Sequence, residues 1–132
     1  MKILIINGPN LNLLGKREPE IYGNQSFDDY FRQLKPFFSQ HQLSAFQSNH
    51  QGAIIDELHA AMDKFDAVII NPGAYSHTSI AIADAIRSIN IPVIEVHISN
   101  IHARETYRAT SFTAAAAKGI ISGFGMESYK LA

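Results

Sequence analysis

Cysteine is absent from the 132 residues. That excludes disulfides, thiolate metal sites and a cysteine nucleophile. Charge is also scarce: Asp, Glu, Lys and Arg make up 17% of the chain, below the roughly 25% usual for soluble domains. So few charges suggest that part of the surface is covered in an oligomer. The net charge is −1 and there is no basic block, which argues against nucleic acid as a partner. No apolar run is long enough for a membrane span, so no membrane partner is expected. The chain enters an apolar strand at once rather than a leader, so the expected location is the cytoplasm. There is no phosphate loop of the Walker type, no G-x-G-x-x-G turn and no G-x-S-x-G nucleophile elbow. The chain has six His but no H-E-x-x-H. His41, His50 and His59 read as surface or helix residues, and His97 and His102 fall on different elements. No metal site is therefore expected.

What is present is a regular alternation of apolar runs and helical spacing. A hydrophobic fraction of 46% in 132 residues fits one domain with one substantial core, here taken as 1–132. Five runs read as strands: Lys2–Asn7, Leu43–Gln47, Ala67–Asn71, Val93–His97 and Gly119–Gly123. Between them, Phe27–Gln40, Ile54–Met62 and Ser79–Ile89 carry apolar residues at helical spacing. In the first, the apolar face comprises Phe27, Tyr30, Phe31, Leu34, Phe37 and Phe38, and Pro36 is expected to kink or end it. The pattern predicts an α/β fold: a flavodoxin-like open sheet of five parallel strands, order 2-1-3-4-5, with helices on both faces.

In such sheets a ligand sits beyond the carboxyl ends of the strands, near the switch in strand order. Three loops gather there: Gly8–Asn24 after the first strand, Asn71–His77 after the third and His97–Asn100 after the fourth. The first is long and rich in Gly, Pro and Asn, reads as neither strand nor helix, and loops of that length are often functional. It places Arg17 near Tyr22. A guanidinium beside a phenol favours phenolate and makes it a base; the plainer account is a hydroxyl that satisfies loop backbone. Glu95 and His97 share a strand face. A carboxylate beside an imidazole suits a general acid, and equally a buried structural pair. Ser76 or Thr78 suits a helix N-cap, with His77 nearby to donate to a ligand hydroxyl. A helix over Ile101–Thr106 would aim the preceding amides, at Ile98 and Ser99, at an anion. Arg104 and Arg108, four apart, would share its face, although a solvated charge is the ordinary fate of a lone Arg.

These residues fall in ordered motifs that run almost from end to end. They include Gly8-Pro9-Asn10-Leu11-Asn12-Leu13-Leu14-Gly15, Arg17-Glu18-Pro19, Tyr22-Gly23, Ser48-Asn49, Asn71-Pro72-Gly73-Ala74 and His77-Thr78-Ser79. They continue with Asp84-Ala85, Ile94-Glu95-Val96-His97-Ile98-Ser99-Asn100, Arg104-Glu105, Arg108 and Ser111. The set resembles the type II 3-dehydroquinate dehydratases. The resemblance implies a hydro-lyase of the shikimate pathway, serving aromatic amino-acid biosynthesis. It would convert 3-dehydroquinate reversibly to 3-dehydroshikimate through an enolate, by anti elimination and without metal or organic cofactor. On the resemblance, Tyr22 is the base, Arg17 holds it as phenolate, and His97 is the acid oriented by Glu95. Asn12 helps hold a water on the enolate oxygen. Asn71, His77 and Arg108 bind ring hydroxyls, and the backbone of Ile98 and Ser99 takes the carboxylate. Asp84 reaches the site of a neighbouring subunit in a trimer, four of which form a dodecamer. The loop with Arg17 and Tyr22 is a lid.

The chain departs from the family pattern at Gln51 (often Glu), Ala83 (often Arg) and Ser128 (usually Gly), and it stops at Ala132, where members often continue. The first two departures are expected to alter subunit contacts, and the last two to weaken C-terminal packing. Two other classes compete with the lyase: a non-catalytic flavodoxin-like module that binds a small anion, opposed by the intact Arg17, Tyr22 and His97 set, and a nucleotide-binding protein, opposed by the missing phosphate loop.

Overall fold

The structure, a computed structural model, describes residues 1–16 and 18–132. Its centre is a five-stranded sheet in the order β2-β1-β3-β4-β5, with every neighbouring pair parallel. The strands are β1 (Lys2–Asn7), β2 (Gln42–Gln47), β3 (Ala67–Asn71), β4 (Val93–His97) and β5 (Gly119–Ser122). Each lies within one residue, at either end, of the run that predicted it.

Alternate strand residues point to opposite faces, and two apolar layers result. Leu4, Ile6, Val68 and Ile70 pack under α3 (Gln51–Ala61) and α4 (Ile80–Ser88). Ile5, Ile69 and Val96 pack on the other face with α2 (Phe27–Leu34) and Tyr129 of α5 (Glu127–Leu131). The remaining helix, α1 (Pro19–Tyr22), is a single turn in the loop after β1. That loop was expected to lack helix altogether; it also holds a 3-10 turn at Leu11–Leu13.

Local chemistry explains the helix ends. Ser26 caps α2 by accepting from the Asp29 amide. Pro36 has no N–H to continue the helix, so α2 stops at Leu34 and the chain tightens into a 3-10 turn over Lys35–Phe38. That turn swings Phe37 out to solvent, off the apolar face assigned to it. Ser79, rather than Ser76 or Thr78, caps α4 by accepting from the Ile82 amide. Ser76 is buried instead, and its hydroxyl has no partner among the described residues. Among the described residues, no helix is long and apolar enough to cross a membrane.

The departures from the family pattern are accommodated inside the subunit. Gln51 Oε1 accepts from Ser79 Oγ at 2.5 Å, tying the start of α3 to that of α4. Ala83 is on the buried face of α4. Ser128 Oγ donates to the His97 carbonyl at 3.0 Å and accepts from the Phe124 amide at 3.3 Å. These bonds fasten the C-terminal helix to β4 instead of loosening it.

Candidate active site

The loops after β1, β3 and β4 do converge. The close approach is made possible by Gly8: a Cβ there would sit 2.4 Å from the Pro72 carbonyl oxygen. The Gly8 amide donates to the Asn71 carbonyl at 2.8 Å, which locks the two loops together. Gly73 supplies a left-handed turn at φ 58 directly after β3. On the first loop, Asn10 and Glu18 also adopt left-handed backbone, at φ 68 and 42. Strain of this kind in non-glycine residues clusters at functional sites.

The cleft between the loops holds about 80 Å³. A larger hollow of about 650 Å³ lies between the end of α4 and residues 116–118, but it brings together no acid–base pair. Chemistry, not size, identifies the site. Tyr22, Asn71, His77, His97, Ile98, Ser99, Arg104 and Arg108 all line the smaller cleft.

His97 closes β4 and is 5% exposed; Glu95, on the same strand face, is 0% exposed. His97 Nε2 lies 2.6 Å from Glu95 Oε1, and that oxygen also accepts from Ser111 Oγ at 2.8 Å. Because a carboxylate only accepts, Nε2 carries the proton and Nδ1 is the other reactive nitrogen. Glu95 Oε2 has no partner among the described residues, an uncommon state for a buried oxygen and one typical of sites built for chemistry. His77 Nδ1 lies 2.7 Å from the Thr110 carbonyl, which can only accept. Nδ1 is therefore protonated and Nε2 is left as an acceptor. Burial pushes the His77 pKa down, against the Thr110 hydrogen bond and with help from His97 and Arg108. The His77 and His97 rings stack with centroids 6.2 Å apart.

Elsewhere on the cleft, Arg104 Nη1 donates to the Tyr22 hydroxyl oxygen at 2.9 Å and to Ser99 Oγ at 3.3 Å. Its guanidinium carbon sits 5.5 Å from the Tyr22 ring centroid. Sequence reasoning treated Arg104 as one of two charges on a helix, and the pairing with Tyr22 had no local signal across a separation of 82 positions. The helix expected over Ile101–Thr106 is replaced by two 3-10 turns, Ile101–Ala103 and Thr106–Arg108. Asn100 Oδ1 takes the His102 amide and turns the chain there. The break lets Arg104 reach inward, while Arg108 pairs with Glu105 at 2.8 Å.

Two expected residues lie apart. Asn12 is exposed on the 3-10 turn after β1 and does not line the cleft. Asp84 is exposed on α4, with Oδ1 3.1 Å from Arg87. Arg17 lies outside the described residues. No group of three or more potential metal ligands occurs among the described residues.

Comparison with known proteins agrees with this geometry. The family described as dehydroquinase class II matches residues 1–132. A 3-dehydroquinate dehydratase of Clostridium botulinum (strain Hall) is 57% identical over 132 residues, covering 98% of this chain and 90% of the relative. One from Caldicellulosiruptor bescii is 56% identical over 134 residues, covering 99% and 92%. The crystal structure of a type II dehydroquinase from Butyrivibrio crossotus superposes with a TM-score of 0.96 at 45% identity, covering 99% of this chain and 93% of that one. With the profile spanning every position and relatives well above half identical, the chain belongs to the class II dehydroquinase family.

Proposed function

We propose that the chain is a hydro-lyase that dehydrates 3-dehydroquinate to 3-dehydroshikimate in the shikimate pathway, acting as a single catalytic domain over 1–132. The observation that carries the reading is two units on one cleft: Tyr22 held by the Arg104 guanidinium, and His97 backed by the buried Glu95 carboxylate.

The chemistry follows from those contacts. A guanidinium donating to the Tyr22 oxygen stabilises a phenolate more than a phenol. The phenolate takes the proton alpha to the substrate ketone, and the C–H electrons form the enolate. As the enolate collapses, the bond from the β carbon to its hydroxyl breaks, and His97 gives that oxygen the Nδ1 proton, so water leaves. Glu95 is the counter-charge for His97 while the ring carries its second proton, and Ser111 steadies that carboxylate. The reading takes the elimination as anti. The route uses no metal or organic cofactor.

The remaining roles complete this reading. Arg17 joins Arg104 in holding the phenolate. Asn12 positions a water on the enolate oxygen once the loop after β1 closes as a lid. Asn71 donates to a ring hydroxyl, His77 accepts from one and Arg108 contacts another. The backbone at Ile98 and Ser99 takes the carboxylate. Asp84, exposed on α4, acts in the site of a neighbouring subunit within a trimer that assembles to a dodecamer in the cytoplasm.

The test is a direct assay. Purified protein is mixed with 3-dehydroquinate, and the conjugated enone product is followed by ultraviolet absorbance, with and without a chelator. Product formation insensitive to the chelator supports the lyase. A folded oligomer that binds 3-dehydroquinate without converting it would support the binding-module alternative.

A further inference from the structure

Asn71 ends β3, lines the cleft and is 3% exposed. Its amide is held at both ends. Oδ1 accepts from the Gly73 amide at 3.1 Å, and Nδ2 donates to the Tyr129 hydroxyl at 2.9 Å. Tyr129 has one proton to give, and it goes to Asn7 Oδ1 at 2.7 Å. The three residues therefore form a polarised chain: Asn71 donates to Tyr129, and Tyr129 donates to Asn7. A flipped Asn71 would set its amino group against the Gly73 N–H and break both bonds. Nδ2 has two hydrogens, and Tyr129 uses one. The other is what Asn71 offers to a ligand.

Tyr129 is fixed in turn. Its ring is buried from α5, with the Phe27 centroid at 5.2 Å edge-on and that of Tyr30 at 6.2 Å. Burial pushes its hydroxyl pKa up from the usual phenol value, so it keeps its proton across neutral pH.

We propose that Tyr129 is a positioning residue for substrate binding: by locking the Asn71 amide it fixes the polarity of the cleft at that point. A ligand group at Asn71 must then accept, while one at His77 must donate to its free Nε2. A hydroxyl does both, a ketone only the first and an ammonium only the second. The inference rests on the reading of Asn71 as a substrate contact.

The test compares Tyr129→Phe, Asn71→Ala and the double variant in the intact chain, by steady-state kinetics with 3-dehydroquinate and by thermal unfolding. Tyr129→Phe keeps the ring packing and removes only the relay. It should raise KM roughly three- to tenfold, the worth of one neutral hydrogen bond, with kcat nearly unchanged. The same substitution should leave KM unaltered in the Asn71→Ala background, because the residue acts through that amide. An equal KM rise in both backgrounds, or a lower melting temperature with KM unmoved, overturns the proposal. If Asn71→Ala itself leaves KM unchanged, the substrate contact at Asn71 is what fails. Should Tyr129→Phe not fold, Asn7→Ala frees the Tyr129 proton from the other end. It should give the same KM rise, again lost in the Asn71→Ala background, and a rise that persists there overturns the proposal.

Discussion

The two walls of the cleft are built in different ways. The wall from β3 and β4 is made of strand ends. Asn71, Glu95 and His97 are buried, and Ser111, Ser128 and Tyr129 hydrogen-bond to them from distant parts of the chain, with Asn7 accepting from Tyr129 in turn. The wall from β1 is a loop. Tyr22 sits on a single helical turn that follows left-handed backbone at Glu18, and Asn12 faces solvent. Side chains on strands inherit their position from the sheet, and a mutation there disturbs the core. Side chains on a loop are placed by a few contacts such as the Arg104–Tyr22 bond, and can be altered with little loss of stability. His97 and Tyr22 are thus held to different standards of rigidity, as expected if one wall must move to admit a ligand.

The comparison is broken most directly at Tyr22. Tyr22→Phe should lower kcat by roughly 10²- to 10⁴-fold, the usual worth of a general base. Its melting temperature should match that of the parent, because phenylalanine keeps the ring that packs against the Ile5, Ile69 and Val96 layer. Near-normal turnover would remove Tyr22 from the mechanism, and a large fall in melting temperature would show that the loop wall is structural after all.

Ser111→Ala probes the other wall. It removes a donor from the buried Glu95 carboxylate and the acceptor for the Ala114 amide. Leaving such groups unpaired costs about 1–3 kcal/mol, and the melting temperature should fall by several degrees while kcat drops less than for Tyr22→Phe. Turnover lost with no change in melting temperature would erase the contrast between the walls.

The smallest effect concerns alkaline pH. Burial, followed by the neighbouring Glu127, pushes the Tyr30 hydroxyl up to about 12, whereas an unfolded tyrosine loses its proton near ~10. The unfolded state thus releases protons first. The contribution is intact below pH ~10 and is lost as the pH rises through about 12. Urea midpoints measured at increasing alkaline pH should fall, and Tyr30→Phe should lessen the fall. An equal fall in the variant would assign it elsewhere, with Tyr129 the next group to test. Turnover at neutral pH should be unaffected, since Tyr30 lies in the α2 layer and not on the cleft.

Much of this was legible in the chain. Val68, Ile69 and Ile70 form an unbroken apolar run because β3 is buried on both faces, and such runs mark parallel strands. Pro36 announced the end of α2 because the missing N–H is a local fact. Glu95 and His97 were readable as a pair because a spacing of two on a strand is geometry in itself. The errors arose where local signals were degenerate. Ser76, Thr78 and Ser79 are all good caps, and only packing chose Ser79. Arg104 resembled any solvated charge until the break after Ala103 turned it toward Tyr22. Ser128 looked like an intrusion at a glycine position, yet it bonds the His97 carbonyl.

The sequence by itself determined the strand order and the family. Strand and helix periods, turn residues and ordered motifs are short-range properties, and the amino-acid order states them outright. Only the tertiary structure decided which side chains share a proton or a charge. Tyr129 meets Asn7 and Asn71, and Arg104 meets Tyr22, because the parallel sheet brings the carboxyl ends of its strands to one edge. Contacts across such separations depend on how two apolar layers pack, which no local pattern encodes.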